Sequence, residues 1–386
     1  MYQGESLSMM KALVYQGPGR KVWQDKAKPS LLQPTDAIVR VTKTTLCGTD
    51  LAILRGGVAT CLPGTTLGHE GVGIIEEVGS AVSRVKPGDA VIISCITSCG
   101  RCDYCHRGLY SNCVDGGWLL GNTIDGTQAE YVRIPHADNS LHLIPPGMDD
   151  EAALMLSDII PTGLEVGVMN GEVKFGDTVA ILGAGPVGLA ALLAAQFYSP
   201  AEIIVIDLDD NRLAKAKALG ATITINNQDG QAAQKVLDLT HGRGVDVAIE
   251  VVGHPATCEV CQNIIGAGGH IADIGIYSKG VELHKEILWT KNITIRLGTV
   301  NTTTIPLLLR TVQSGKLDPK QLITHHFSLN DIIHAYDVFS NAAEEQAIKL
   351  ILVNDVNGVA APKSANGSVQ DAMIKQIVAQ VLKEMG

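Results

Sequence analysis

The chain has 386 residues, 46% of them apolar, with 41 glycines and nine cysteines; this suits two ordinary α/β-type domains and excludes a disordered polymer. The formal net charge of −10 leaves no concentration of Lys and Arg to meet phosphates, which argues against a general nucleic-acid binder. The start, MYQGESLSMMKALVYQ, has neither a basic n-region nor an apolar h-region, so export is not expected and a cytoplasmic location is; residues 1–9 read as an extension before Met10.

From residue 10 to about 164, short β-type runs such as DAIVRVTKTT, GVGIIEEVG, DAVIIS and AEYVRIP alternate with Gly and Pro, predicting a compact β-rich domain. Three of its loops carry chemistry: Cys47 and Thr49 in TTLCGTD, His69 and Glu70 in LGHEGVG, and Asp158 in LSDIIPTG. Singly, these are a buried thiol, a satisfied imidazole and a helix cap. Together, Cys47, His69 and Asp158 offer a thiolate, an imidazole and a carboxylate, the three protein ligands of a catalytic zinc with an open fourth position. Glu70 stands beside that set. Within the same domain a lobe, residues 95–113, holds Cys99, Cys102, Cys105 and Cys113 spaced C-x2-C-x2-C-x7-C. Such spacing lets the backbone turn each thiolate towards one tetrahedral Zn²⁺, and suits a metal better than paired disulfides in a chain without an export signal. Two zinc ions per subunit are therefore expected.

Residues 165–302 change rhythm. TVAILG, EIIVID, ITIN, VDVAIEVVG, HIADIG and ITIRLG read as strands, separated by the helical stretches LAALLAAQFY, NRLAKAKALG and QAAQKVLDLT. The alternation predicts a parallel sheet with helical crossovers. No charge falls between Asp177 and Glu202, which is long enough for a membrane span, but three glycines and a proline fall between 183 and 188. A strand, a tight turn and a buried helix explain the segment better. In that turn, Gly183, Gly185 and Gly188, with Pro186 and Val187 between the last two, form GxGxxG, and Asp207 ends the next strand. The glycines would let pyrophosphate approach backbone N–H groups, and Asp207 would accept from the adenosine ribose hydroxyls, with Arg212 in the same cofactor region. Asp209 and Asp210 follow, and no arginine stands directly after Asp207, so NAD is expected over NADP. Residues 303–356 mix helix with a last strand, AIKLILV. Residues 357–368 read as a flexible linker and 369–386 as an amphipathic helix, opened by a Ser368–Asp371 capping box and striped by Ile374, Ile377, Val378, Val381 and Leu382.

GHEGVGIIEEVGSAVSRVKPGDAV, the cysteine lobe and the GAGPVG turn together resemble the zinc-dependent alcohol dehydrogenases of the medium-chain dehydrogenase/reductase superfamily over about residues 10–354. The resemblance implies a GroES-like catalytic domain, residues 10–164 and 303–356, around a Rossmann domain, residues 165–302. It implies hydride transfer between an alcohol carbon and the nicotinamide, with the metal acidifying the alcohol, and a homotetramer or dimer. Asp158, where many members carry Cys, looks like the bacterial secondary-alcohol branch; a polyol, diol or amino-alcohol substrate is the alternative. Thr49 matches the hydroxyl that starts the family's proton relay, whereas the relay histidine's position holds Ala52. The linker and final helix are similar to peptides that direct enzymes into bacterial microcompartments, where shell or cargo proteins would be partners. No membrane partner is expected, since the helix has few basic residues and no aromatic anchor.

Overall fold

The computed structural model describes residues 8–355. Residues 1–7 of the expected extension, the expected linker and the expected final helix lie outside these residues.

Seven strands come first: β1 (Met9–Tyr15), β2 (Lys21–Ala27), β3 (Ala37–Thr45), β4 (Gly71–Val78), β5 (Ala90–Ile93), β6 (Tyr131–Ile134) and β7 (Leu141–Leu143). Six more follow: β8 (Thr178–Leu182), β9 (Glu202–Asp207), β10 (Ile223–Asn226), β11 (Val245–Glu250), β12 (Ile265–Asp273) and β13 (Thr294–Leu297). The chain then returns through β14 (Ile323–Ser328) and β15 (Lys349–Val353). β1 and β2 pair as a hairpin. A mixed sheet runs β14-β15-β3-β4-β5-β7, with β6 against β3. Because β15 pairs antiparallel with β3, the last strand completes the sheet begun by the first hundred residues.

The second sheet is wholly parallel, in the order β10-β9-β8-β11-β12-β13. This is a Rossmann order, with its switch point between β8 and β11, where ligands lodge beyond the carboxyl ends of the strands. The central strands are apolar on both faces because helices cover both; Val179, Ala180, Ile181 and Leu182 of β8 are all buried. The uncharged segment resolves into β8, a turn and the helix Pro186–Ala195, with Pro at its first position and eight buried residues. Among the described residues no helix is long and apolar enough to cross a membrane.

One hydrophobic core joins the two halves. It runs from Val72 and Ile92 through Leu154–Ile160 to Leu189–Ala195 of the nucleotide helix, then to Leu308 and Ile351. Burial of this kind contributes about 25 cal/mol per Å². The metal-side and nucleotide-side loops are thus fixed relative to one another by packing as well as by chain connectivity.

Candidate active site and metal centres

Cys47 caps the helix Gly48–Leu54 at the exit of β3, and the Asp50 carboxylate accepts its backbone N–H at 2.9 Å. His69 and Glu70 end the loop before β4. Asp158 precedes the helix Ile159–Thr162. These three loops bring one ligand atom each from Cys47, His69, Glu70 and Asp158 within 4.8 Å of one another. His69 Nε2 lies 3.3 Å from Asp158 Oδ2. Its Nδ1 lies 3.7 Å from Asp50 Oδ1, and neither of those buried atoms has a hydrogen bond. A carboxylate behind the second ring nitrogen is the usual device that orients a ligating histidine.

The electrostatics favour positive charge at the centre. Burial alone would lower the His69 pKa, but hydrogen bonds to Asp158 and Cys47 outweigh it and hold it well above the ordinary value. Burial would raise Asp158; the His69 contact and the Thr162 hydroxyl, which donates at 2.6 Å, bring it down to about 2. A thiol, an imidazole and an ionised carboxylate around one point form a donor set that fits Zn²⁺. Glu70 is held differently. Its Oε1 accepts from Lys349 Nζ at 2.6 Å, and both side chains are buried. Lys349 also donates to the Leu46 carbonyl at 2.9 Å. Burial works against the charge of both groups, while Glu70 and then Cys47 and Asp158 raise the Lys349 pKa. Glu70 Oε2 has no partner.

The four lobe cysteines also converge, with one sulfur each within 4.8 Å of the others and no disulfide. Cys99 and Cys105 sulfurs are 3.9 Å apart, close to the roughly 3.8 Å separation that 2.3 Å Zn–S bonds impose in a tetrahedron. The Cys99 N–H donates to Cys113 Sγ at 3.2 Å. Backbone N–H groups of Val114 and Cys105 bring the Cys102 thiol down to about 6. This set too fits a zinc ion. Cys95, at the start of the same segment, goes elsewhere: its Sγ donates to Asp158 Oδ1 at 3.4 Å.

On the nucleotide side, Gly183 has φ of +108°, and a Cβ at Gly188 would meet the Gly183 carbonyl at 1.8 Å. Only glycine makes that turn. The Asp207 carboxylate accepts N–H groups from Ala184 at 2.6 Å, Leu208 at 2.7 Å and Asp209 at 3.0 Å. It is therefore fixed at the tip of β9, beside the turn. One cleft of about 990 Å³ contains Cys47, Thr49, His69 and Asp158 at one end and Gly183, Gly185, Pro186, Val187, Gly188, Asp207 and Arg212 at the other. Glu70 is the one candidate of this group behind the wall.

Sequence reasoning missed several participants. Asp50 stands three residues after Cys47, a spacing that could have flagged it. Lys349 is the lone cation in AIKLILV, a signal that was available. Trp118, edge-on to His69 at 6.1 Å between ring centres, and Thr162 gave none.

A dinucleotide fold whose binding cleft ends at a buried thiol–imidazole–carboxylate cluster defines a metal-dependent dehydrogenase. The model of the alcohol dehydrogenase GroES-like domain matches residues 33–146, and that of the zinc-binding dehydrogenases matches residues 186–314. An alcohol dehydrogenase of Cupriavidus necator is 38% identical over 359 residues, covering 86% of this chain and 96% of its own. The NADP-dependent isopropanol dehydrogenase of Thermoanaerobacter brockii is 31% identical over 89% of this chain and 99% of its own. Among solved structures, zinc-dependent alcohol dehydrogenase 2 from Streptococcus pneumonia, in its apo form, has a TM-score of 0.87 and 52% identity, covering 92% of this chain and all of that one. The chain belongs to the zinc-dependent alcohol dehydrogenases of the medium-chain dehydrogenase/reductase superfamily. It is an oxidoreductase acting on CH–OH groups, with zinc and a nicotinamide cofactor, and its substrates are alcohols or aldehydes.

Proposed function

We propose that this enzyme interconverts a small secondary alcohol and its ketone with NAD(H), and holds two zinc ions per subunit. The observation that carries the reading is the single cleft that joins the Cys47–His69–Asp158 cluster to the glycine turn and Asp207. Cys47, His69 and Asp158 would hold the catalytic zinc, and Cys99, Cys102, Cys105 and Cys113 the structural one. The catalytic metal, when bound, supplies Lewis acidity that lowers the pKa of an alcohol.

The chain's own groups do the rest. Thr49 Oγ1, 3.6 Å from Cys47 Sγ and on the cleft wall, accepts the proton of the substrate hydroxyl as it gives up its own. Since Ala52 stands three residues further along that helix, where a relay histidine would be needed, that proton leaves through water or the cofactor ribose. Asp50 orients His69. Lys349 neutralises Glu70 and so keeps the charge behind the ligands balanced. Gly183–Gly188 receive the pyrophosphate, and the nucleotide fold sets the nicotinamide beside the metal end.

Asp207 supports NAD. Its fixed carboxylate suits two ribose hydroxyls and repels a 2′-phosphate, with Asp209 and Asp210 adding to the repulsion and Arg212 left to line the cleft. Asp207→Gly should narrow the preference for NADH over NADPH by about tenfold or more, measured as binding of each. Asp158 supports the secondary-alcohol branch, as does the apolar wall of Leu51, Ile96, Trp118 and Val300.

The decisive assay is a panel of 2-propanol, butanediol, propanediol and threonine with NAD⁺ and NADP⁺. Highest kcat/KM for 2-propanol with NAD⁺ supports the proposal; preference for threonine or a diol replaces it with the amino-alcohol or polyol reading. A homotetramer or dimer fits the exposed Trp289 and Leu297 at the β13 edge of the parallel sheet. Light scattering in solution would show it. The apolar stripe of residues 369–386 supports delivery from the cytoplasm into a microcompartment, where the enzyme would recycle NAD. A reporter carrying residues 357–386 that stays diffuse in cells making such shells would refute that.

A further inference from the structure

The chain crosses from the nucleotide half back to the metal half through residues 298–304. Gly298, Thr299 and Val300 line the cleft. The four residues that follow are held by one buried carboxylate, Glu165, which lies on a widened helical turn, Gly163–Met169, seven residues beyond Asp158. Glu165 Oε2 accepts the N–H groups of Asn301 at 2.8 Å and Thr302 at 3.0 Å. Oε1 accepts the Thr303 hydroxyl at 3.2 Å and the N–H and hydroxyl of Thr304, both at 2.8 Å. Five donors on one carboxylate are far more than a helix residue needs for its own satisfaction. Thr302 is held at φ +60°, a left-handed conformation that a β-branched residue avoids unless its surroundings impose it.

A second contact reaches the same segment from the cysteine lobe. Ser111, between Cys105 and Cys113, donates to Asn301 Oδ1 twice, from its N–H at 3.0 Å and its hydroxyl at 2.8 Å. Asn301 therefore stands between the lobe and Glu165, with its side chain on one and its backbone on the other. We propose that Glu165 and Ser111 form a clasp on this crossing, through which the metal-bearing lobe sets the cleft wall formed by Gly298, Thr299 and Val300. Both are positioning residues: neither touches the reacting atoms, and they act through Gly298–Val300. The lobe's metal would then matter to cofactor affinity as well as to stability, because it fixes the turn Tyr110–Asn112 that presents Ser111.

The clasp rests on the cleft being the nicotinamide site, and the experiment separates the two. NADH binding to the full-length, metal-replete protein is followed by fluorescence for wild type, Ser111→Ala, Ser111→Thr and Glu165→Gln, with melting temperature and zinc content recorded for each. Ser111→Ala should weaken NADH binding about fivefold, and Glu165→Gln about tenfold or more. The KM for NAD⁺ should rise further than kcat falls, and Ser111→Thr should restore binding. Unchanged NADH affinity in Ser111→Ala, beside a wild type that binds, overturns the clasp. So does weakened binding that Ser111→Thr fails to restore at equal zinc content. Should Glu165→Gln fail to fold, the two Ser111 variants decide alone. A wild type that binds neither NADH nor NADPH removes the cleft reading, and the clasp with it.

Discussion

The two cysteine-bearing centres are built in opposite ways. The lobe takes four sulfurs from fifteen consecutive residues, CGRCDYCHRGLYSNC, and two of them are partly exposed. Its sulfurs are steadied by backbone N–H groups. The cleft centre takes three unlike donors from three loops spread between Cys47 and Asp158 and surrounds them with buried charge: Asp50, Glu70 and Lys349. A closed, symmetric donor set suits a metal that only holds a shape. A mixed set with charged neighbours suits one that must release a position and tune acidity.

Substitutions can break that contrast. The largest effect is expected at the cleft. His69→Ala should cut turnover by about a thousandfold or more while NADH still binds, since no imidazole remains beside Cys47 and Asp158. Full activity in steady-state assays would end the assignment. Lys349→Ala comes next. It strands the Glu70 carboxylate in the core, and urea unfolding should show a loss of about 3–5 kcal/mol, much of it recovered by the double variant with Glu70→Gln. If the two single losses simply add, the pair is not coupled as its 2.6 Å contact requires.

A substitution in the lobe should behave otherwise. Cys105→Ser should lower the melting temperature by on the order of 10 °C, yet leave kcat at saturating cofactor within a few-fold of wild type. Equal loss of kcat in Cys105→Ser and His69→Ala would erase the distinction. The smallest effect is one of acidity. Burial, helped by Arg84, brings His142 on β7 down to about 4. The folded protein thus binds that proton less readily than the unfolded chain, whose histidine titrates near 6.5. The resulting stability is complete above pH 6.5 and is lost as pH falls towards 4, by about 3 kcal/mol, and His142→Gln should flatten it. This edge lies behind the lobe, where the Ser98 N–H donates to Ser140 Oγ, so acid should loosen the lobe before the cleft.

The same contrast explains what could be read from the sequence. The lobe was legible because its ligands are neighbours in the chain. So was the glycine turn, whose strand, helix and Asp207 all lie within 30 residues. The parallel sheet showed in its rhythm of apolar runs. The cleft set was legible only as three loops whose residue types suited one metal, supported by the family resemblance. Lys349 escaped because its meaning depends on Glu70, 279 residues away, and on a strand that returns to β3. Glu165 escaped for a similar reason: a carboxylate in GLEVGVM looks like a solvated helix residue until the fold places residues 301–304 on it. Trp118 gave no sign because an aromatic in a glycine-rich loop suits many surroundings.

Zinc content per chain tests the central claim most directly. Elemental analysis of the purified protein should give about two zinc ions per chain, falling to about one in Cys105→Ser with kcat at saturating cofactor largely kept. A native value near one, or a Cys105→Ser protein that loses both zinc and all turnover, would contradict the division of labour between the two centres.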